Sequence, residues 1–161
     1  RPLPPSPVRP SVRRIAFHGT RSTNAMRFLD TNILLYTVSN VPEEEAKARR
    51  ARDLLEDDDW TLSVQVLQEF YVQATRASRP DRLSHGHAAA LVESWLRFRV
   101  QEITVPVLQA ALAVKERHGL SYWDSAILAA AQVAGCREVW SEDLAHDRDY
   151  DGLRVINPFL V

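Results

Sequence analysis

The chain has 161 residues, 45% of them hydrophobic, and a formal net charge of −1, which suits one globular domain that buries roughly two thirds of its unfolded surface. Its single cysteine, Cys136, excludes an internal disulfide, and this fits a reducing cytosol, so we expect a cytoplasmic protein. No apolar run approaches the roughly 18 residues of a membrane-spanning helix, and no hydrophobic block follows the N-terminal arginines, so we expect no secretory signal there.

Residues 1–25 differ in composition from the rest of the chain. They contain five arginines, no acid and five of the nine prolines, so we interpret them as a disordered basic extension of a domain that spans 26–161. Met26 is the only methionine, which favours a natural start there and an over-extended reading frame or cloning remnant before it. A basic arm that contacts nucleic acid is the alternative. Without this segment, 15 basic and 21 acidic residues remain, a net charge of −6.

Strand and helix signals alternate along the domain. Apolar spacing predicts these elements in chain order: a strand over 27–29, helices over 32–39 and from Pro42, a strand over 60–63, helices over 64–77 and 85–98, a strand over 102–105, helices from Pro106 to Gly119 and over 122–134, and strands over 138–140 and 153–156. Ser63, Ser84 and Ser121 are predicted N-caps. Strands separated by helices of ten or more residues predict an α/β fold with a parallel sheet and helices on both faces.

Asp30 stands where an apolar segment would not be expected to carry a charge. It follows the first predicted strand, and an apolar run over 33–36 resumes shortly afterwards. A buried carboxylate is costly unless something pairs with it. If the strand is an inner parallel one, Asp30 lies at its carboxyl end, where open α/β sheets build their sites.

Two further acids lie at or near helix starts. Glu69 is on the side of its helix away from the apolar stripe, where solvation is the ordinary explanation and a cleft the functional one. Asp124 lies three residues after Ser121, which fits a capping box. Its neighbours Tyr122 and Trp123 indicate a buried helix start, where an acid with no other role is unusual.

Asp143 lies just beyond the predicted strand over 138–140. Acids are common turn formers in such loops, and Glu142 and Asp147 compete with Asp143 for any functional role. The short polar residues beside these acids are Thr31, Asn32 and Ser141, which suit either the orientation of carboxylates and water or helix capping.

The four acids map to one edge of the predicted sheet. Three or four carboxylates in one pocket repel each other unless a cation neutralises them. Oxygen ligands without clustered histidine or cysteine favour Mg²⁺ or Mn²⁺ over zinc. Such ions activate water, so metal-dependent phosphodiester hydrolysis is the chemistry that fits best.

Four segments make the chain resemble the PIN-domain ribonucleases, and among them the VapC-like toxins of bacterial and archaeal toxin–antitoxin modules. They are FLDTNILLY at 28–36, SVQVLQEFY at 63–71, LSYWDSAILAAA at 120–131 and WSEDL at 140–144, the last followed by GLRVINPF at 152–159. The resemblance covers essentially all of 26–161, with the four segments in the right order.

The resemblance implies a three-layer αβα domain with a central parallel sheet of four to five strands. It implies an acidic catalytic site made of Asp30, Glu69, Asp124 and Asp143, with Asn32 and Ser141 as polar support. Mg²⁺ or Mn²⁺ would be held by Asp30, Asp124 and Asp143, and by Glu69 directly or through water. The implied activity is an endoribonuclease that cuts tRNA or rRNA.

The implied partners are RNA, a second copy of the chain and a cognate antitoxin whose tail covers the acidic groove. Because the domain is acidic, RNA would be held by metal and by a few arginines, for which Arg76, Arg79 and Arg82 are candidates. Ordinary solvated loop charge is the favoured alternative for these three residues.

Two other functions remain open from the sequence. A haloacid dehalogenase-type phosphatase or a receiver domain also places an Asp after the first strand, but both need a lysine near the site. Lys47 and Lys115 each lie inside a predicted helix, and LDTN lacks the second Asp of the phosphatase signature. The other possibility is a non-catalytic PIN-like module that binds RNA or protein.

Overall fold

The computed structural model describes residues 27–160, so the predicted extension at 1–25 lies outside the described residues. Within 27–160 the chain forms six strands: β1 (Arg27–Leu29), β2 (Trp60–Ser63), β3 (Arg99–Gln101), β4 (Glu138–Trp140), β5 (Asp149–Tyr150) and β6 (Leu153–Ile156). They make one sheet of order β3-β2-β1-β4-β6-β5. All neighbours pair in parallel except β5, which is antiparallel to β6.

Six α-helices connect the strands in the described part of the chain: α1 (Thr31–Thr37), α2 (Glu45–Leu54), α3 (Val64–Ala74), α4 (His85–Trp95), α5 (Val105–His118) and α6 (Tyr122–Val133). Ser63, Ser84 and Ser121 cap α3, α4 and α6 as predicted, each accepting a hydrogen bond from a backbone N–H of the first turn. A single 3-10 turn precedes α2 and contains Pro42 at a first helical position.

The order of the strands reverses at β1. The chain moves outward from β1 to β2 and β3, then returns to place β4 on the other side of β1. Right-handed crossovers therefore put α1 to α4 on one face of the sheet and α5 and α6 on the other, which gives three layers. The carboxyl ends of β1 and β4 flank the reversal point, the usual place for a site in an open α/β sheet.

The core is built from the inner face of each layer. Phe28, Trp60 and Phe70 are fully buried, and the Phe70 ring contacts Trp95 edge to face at 4.6 Å between centroids. Burying such large apolar side chains is the main favourable term for the fold. Residues 125–131 of α6 are buried throughout, as its apolar sequence predicts.

The structure confirms the α/β fold with a mostly parallel sheet and corrects two details. The strand predicted at 102–105 is wrong: the strand is β3, three residues earlier, and Thr104 instead caps α5. The β-branched run Ile103, Thr104 and Val105 mimics a strand in sequence. The two-residue β5, which adds a sixth, antiparallel strand, was not predicted.

None of the six helices within 27–160 combines the length and the apolar character that crossing a bilayer requires.

Candidate active site

Asp30 begins the site at the carboxyl end of β1. Leu29 pairs with Trp140 of β4, so the next residues, Asp30 and Ser141, leave the sheet side by side. Asp30 has an extended backbone and is the N-cap of α1, with its Oδ1 accepting a 2.7 Å hydrogen bond from the Thr31 N–H. The same side chain therefore caps a helix and reaches the edge of the sheet.

Polar groups fix the second oxygen of Asp30. Its Oδ2 accepts hydrogen bonds from Ser141 Oγ at 2.7 Å and from Asn32 Nδ2 at 3.2 Å. The Asn32 amide also donates to Asp143 Oδ2 at 3.1 Å, and Ser141 Oγ accepts from the Asp143 N–H at 3.1 Å. Asn32 and Ser141, predicted as polar support, each form hydrogen bonds with both Asp30 and Asp143 and so connect the two acids.

Glu69 comes from the second turn of α3 and is held by two donors. Thr31 Oγ1 donates to its Oε2 at 2.8 Å, and Gln65 Nε2 donates to its Oε1 at 2.8 Å. Because Thr31 follows Asp30 in the chain, these bonds fix Glu69 relative to the first acid. Glu69 lines a cleft, which was the functional alternative for this residue.

Asp124 and Asp143 complete the acidic lining. Ser121 Oγ accepts from the Asp124 N–H at 3.1 Å, so the capping interaction uses the backbone of Asp124 and leaves its carboxylate for the cleft. The cleft has a volume of about 110 Å³. It is lined by the four acids with Thr31, Asn32, Leu35, Gln73, Trp123 and Ile127.

The electrostatics of this cleft are one-sided. Among the described residues, those that line it include four carboxylates and no lysine, arginine or histidine. The pKa of Asp30 is raised to about 6, mainly by burial and to a smaller extent by the charges of Asp143 and Glu69, while the hydrogen bonds from Ser141 and Thr31 oppose the shift. An unbalanced group of carboxylates of this kind favours binding of a cation.

Glu142 fastens the Asp143 loop to α2. Its carboxylate forms an ion pair with Lys47 and accepts a hydrogen bond from the Tyr36 hydroxyl, and its N–H donates to Asn32 Oδ1 at 3.2 Å. Burial opposes ionisation, but the bonds to Lys47 and Tyr36 outweigh it and lower the pKa of Glu142. Lys47 lies inside a helix as predicted. From α2 its ammonium reaches the loop next to Asp143, where it pairs with Glu142.

The PIN domain family model matches residues 27–150. The chain belongs to the PIN domain family. Solved structures agree on the fold. A toxin–antitoxin complex from Klebsiella pneumoniae matches with a TM-score of 0.58 and 21% identity, covering 82% of this chain and 97% of that one. DNA-bound VapBC from Salmonella typhimurium matches with a TM-score of 0.57 and 23% identity, covering 80% and 95%.

A third similar structure is VapC20 from Mycobacterium tuberculosis, described as a sarcin-ricin loop cleaving toxin. It matches with a TM-score of 0.56 and 21% identity, covering 70% of this chain and 86% of that one. No curated protein matches the chain. These likenesses show that the described residues have the fold of PIN-domain toxins.

The donors in this PIN-domain cleft fit a hard divalent cation by their chemistry. Carboxylate oxygens are the ligands that Mg²⁺ and Mn²⁺ prefer, and the cleft supplies them without a competing basic side chain. Within residues 27–160, no group of three or more His, Cys, Asp or Glu side chains is arranged so that it could already hold a metal ion. The acids therefore line an open cleft.

Asp147, which competes with Asp143 in the sequence, and the neighbouring His146 do not line the cleft of the PIN domain. Asp147 interacts with Arg154, and His146 Nδ1 accepts a hydrogen bond from the Asn157 N–H. Of the three arginines predicted to bind RNA, Arg79 pairs with Asp81 at 2.7 Å. Arg76 and Arg82 are exposed on the same loop after α3. They are therefore the two of the three predicted arginines that remain candidates for RNA binding.

Three site features were missed in the sequence. Gln65 lies four residues before Glu69, on the same face of the helix, and that spacing was the available signal. Trp123, next to Asp124, was interpreted as part of a buried helix start, yet its side chain is exposed. The contact between Lys47 and Glu142 joins residues 95 positions apart, and no local pattern signals it.

Proposed function

We propose that this PIN domain is a metal-dependent endoribonuclease that hydrolyses phosphodiester bonds of tRNA or rRNA in the cytoplasm. The observation that carries the proposal is the single cleft lined by Asp30, Glu69, Asp124 and Asp143 without a basic side chain from the described residues. These acids come from four separate elements of the fold. A structural role for any one of them does not account for all four in the same cleft.

Mg²⁺ or Mn²⁺ would be held by Asp30, Asp124 and Asp143, with Glu69 binding directly or through water. The ion would supply positive charge for the RNA phosphate and activate a water molecule for hydrolysis. The chain's own polar groups keep the carboxylates in place. Both oxygens of Asp30 and both of Glu69 accept hydrogen bonds, and such supporting bonds orient ligands before substrate arrives.

The similar structures favour a toxin of a toxin–antitoxin module, since they include a toxin–antitoxin complex, a VapBC complex and a toxin. We therefore propose a cognate antitoxin and a homodimer as partners. We also propose that Arg76 and Arg82 contact RNA beyond the cleft. Sedimentation of the purified chain over a wide concentration range tests the dimer, and a constant monomer mass would remove it from the proposal.

The contact made by Lys47 argues against an Asp-dependent phosphatase. That chemistry needs an ammonium beside the acid that follows the first strand, whereas Lys47 pairs with Glu142. The complete set of four acids in one cleft likewise favours an enzyme over a non-catalytic PIN-like module.

Cleavage of a total tRNA and rRNA pool by the purified chain tests the function. We expect specific cuts with Mg²⁺ or Mn²⁺, no cuts with EDTA, and loss of cutting in Asp30→Ala with the fold retained. Asp53→Ala is the matched control, because Asp53 is exposed on α2 outside the cleft. Full cutting by Asp30→Ala, in a preparation cleared of contaminating nuclease, would refute the proposal.

A further inference from the structure

Trp123 is exposed although it is one of the largest apolar side chains in the chain. All four tryptophans lie within the described residues, and Trp60 and Trp95 are buried at 0% and 3% exposure, whereas Trp123 is 64% exposed. Trp140 is half-buried. An exposed aromatic beside a site commonly marks a contact with a ligand or partner.

Trp123 is held at the edge of the acidic cleft. It directly precedes Asp124 and lines the cleft with that residue. Gln65 is buried and donates through Nε2 both to Glu69 Oε1 at 2.8 Å and to the Trp123 carbonyl at 3.3 Å. The same amide therefore fixes the backbone of Trp123 relative to an acid of the site.

The neighbouring ring supports the indole on one side. Tyr122 contacts Trp123 edge to face, with 5.1 Å between centroids and 75° between planes. An edge-to-face contact is a favourable aromatic arrangement. Because more than half of the Trp123 side chain remains accessible, the contact does not bury it.

Because the cleft is negatively charged, RNA binding there benefits from a contact that does not depend on charge. The cleft lining includes four carboxylates and, among the described residues, no basic side chain, so it attracts phosphate only where a cation intervenes. A nucleobase carries no charge, and any of the four bases can stack on an aromatic ring. Single-stranded RNA is recognised in this way because its bases are free to unstack.

We propose that Trp123 is a stacking platform for a base of single-stranded RNA next to the phosphate held in the acidic cleft. The inference rests on the proposed ribonuclease function and adds a binding position to it. Stacking there would favour unpaired RNA over a continuous duplex, in which the base faces are already stacked. Trp123 would thus select the structural class of the substrate.

A protein contact is the competing use of the same side chain. On its other side, Trp123 lines an apolar groove that includes Leu108 and the exposed Ile103. The continuity of Trp123 with the acidic cleft favours the base. If Trp123 belonged to an interface between two chains, its replacement would change the molecular mass in solution.

The test measures binding of an end-labelled oligoadenylate of about ten nucleotides to the full chain by fluorescence anisotropy with Mg²⁺. An abasic oligomer of the same length carries the same phosphates and is the probe for charge alone. Readings are taken before cleavage proceeds. The variants are Trp123→Ala, Trp123→Leu, which keeps an apolar side chain without a ring, and the aromatic Trp123→Phe and Trp123→Tyr.

We expect Trp123→Ala and Trp123→Leu to weaken oligoadenylate binding by roughly tenfold to a hundredfold. Trp123→Phe and Trp123→Tyr should remain close to the natural chain, and the abasic oligomer should bind equally weakly to all of them. In cleavage assays the same loss should appear mainly in KM. Fluorescence of the natural chain should be quenched by oligoadenylate and unchanged by the abasic oligomer.

Natural affinity in Trp123→Leu, or equal binding of both probes by the natural chain, would overturn the inference. A change of molecular mass in Trp123→Ala would overturn it in favour of a protein interface. Binding that depends on the aromatic ring, without any cleavage, would support the stacking platform and overturn the nuclease function. Metal-dependent cleavage that does not change when Trp123 is replaced would support the nuclease function and overturn the stacking platform.

Discussion

Ser141 donates a 2.7 Å hydrogen bond to Asp30 across a separation of 111 residues. The bond joins the residues that directly follow the paired strands β1 and β4, at the point where the strand order reverses. Ser141 is completely buried, and its hydroxyl also accepts hydrogen bonds from Asn32 and from the Asp143 N–H. One small side chain therefore connects two acids that belong to distant parts of the sequence.

Replacing Ser141 by alanine should disturb the site more than its size suggests. Ser141→Ala leaves the buried Asp30 carboxylate with one donor fewer and frees the Asp143 N–H, so we expect a loss of roughly 1 to 3 kcal/mol of unfolding free energy together with lower RNA cleavage. Urea denaturation and the cleavage assay measure both effects.

Ser94→Ala is the matched control, because the Ser94 hydroxyl donates to the Leu91 carbonyl on the exposed side of α4. It should leave cleavage unchanged. Equal effects of the two substitutions would show that the buried position of Ser141 contributes nothing special.

The raised pKa of Asp30 predicts a pH-dependent stability. Between about pH 4 and about pH 6, Asp30 binds more protons in the folded chain than in the unfolded chain. The contribution of Asp30 to the free energy of unfolding therefore falls as pH rises through this window and is constant above it. Asp30→Asn cannot ionise. Without divalent cations, its stability relative to the natural chain should therefore increase across the window by on the order of 2 to 3 kcal/mol.

Urea titrations of both proteins in EDTA, at a series of pH values, measure this difference directly. Subtracting one curve from the other removes the contributions of titrating groups that do not interact with Asp30. A difference that stays flat from pH 4 to pH 7 would show that burial does not raise the pKa of Asp30.

The ion pair of Lys47 with Glu142 should have a larger coupling energy than an ion pair on the exposed surface of α2. The side chains of Lys47 and Glu142 are 39% and 27% exposed, and the pair connects α2 to the Asp143 loop. A double-mutant cycle with Lys47→Met and Glu142→Gln should give a coupling energy of about 1 kcal/mol. Cleavage should also fall, because the loop loses its attachment.

The comparison cycle uses Glu45→Gln and Arg49→Met, whose natural side chains pair at i,i+4 and are 73% and 69% exposed. We expect about 0.3 to 0.5 kcal/mol there and no effect on cleavage. If both cycles gave the same small coupling, the attachment of the loop would depend on the backbone and on Asn32.

Local chemistry explains why most of the fold could be predicted from the sequence. Ser63 and Ser121 cap helices through their own hydroxyls, and Gly119 ends α5 with a positive φ of 67°, a conformation that glycine adopts easily. The misplaced strand near Thr104 arose because β-branched residues suit both strands and the approach to a capped helix.

Three acids of the site could be selected from the sequence because Asp30 and Asp143 follow predicted strands and Asp124 lies among apolar residues at a helix start. Glu69 was included because its helix begins at the same edge and because of the family resemblance. The partners of these acids could not be selected in this way. Gln65 bridges Glu69 and the Trp123 backbone only after α3 and α6 pack at the same edge, and the exposure of Trp123 depends on what the tertiary structure leaves uncovered. Long-range contacts of this kind are set by the assembled layers.

Binding of Mn²⁺ to the purified chain, followed by electron paramagnetic resonance, measures whether the four carboxylates form one cation site. If the four carboxylates act as one cation site, Mn²⁺ should bind the natural chain and Asp53→Asn equally well. It should bind Asp124→Asn at least about tenfold more weakly, because even the loss of a residue that only supports a metal ligand typically lowers metal affinity by that factor. Undiminished binding by Asp124→Asn, or no binding by the natural chain, would show that the four carboxylates do not form a cation site.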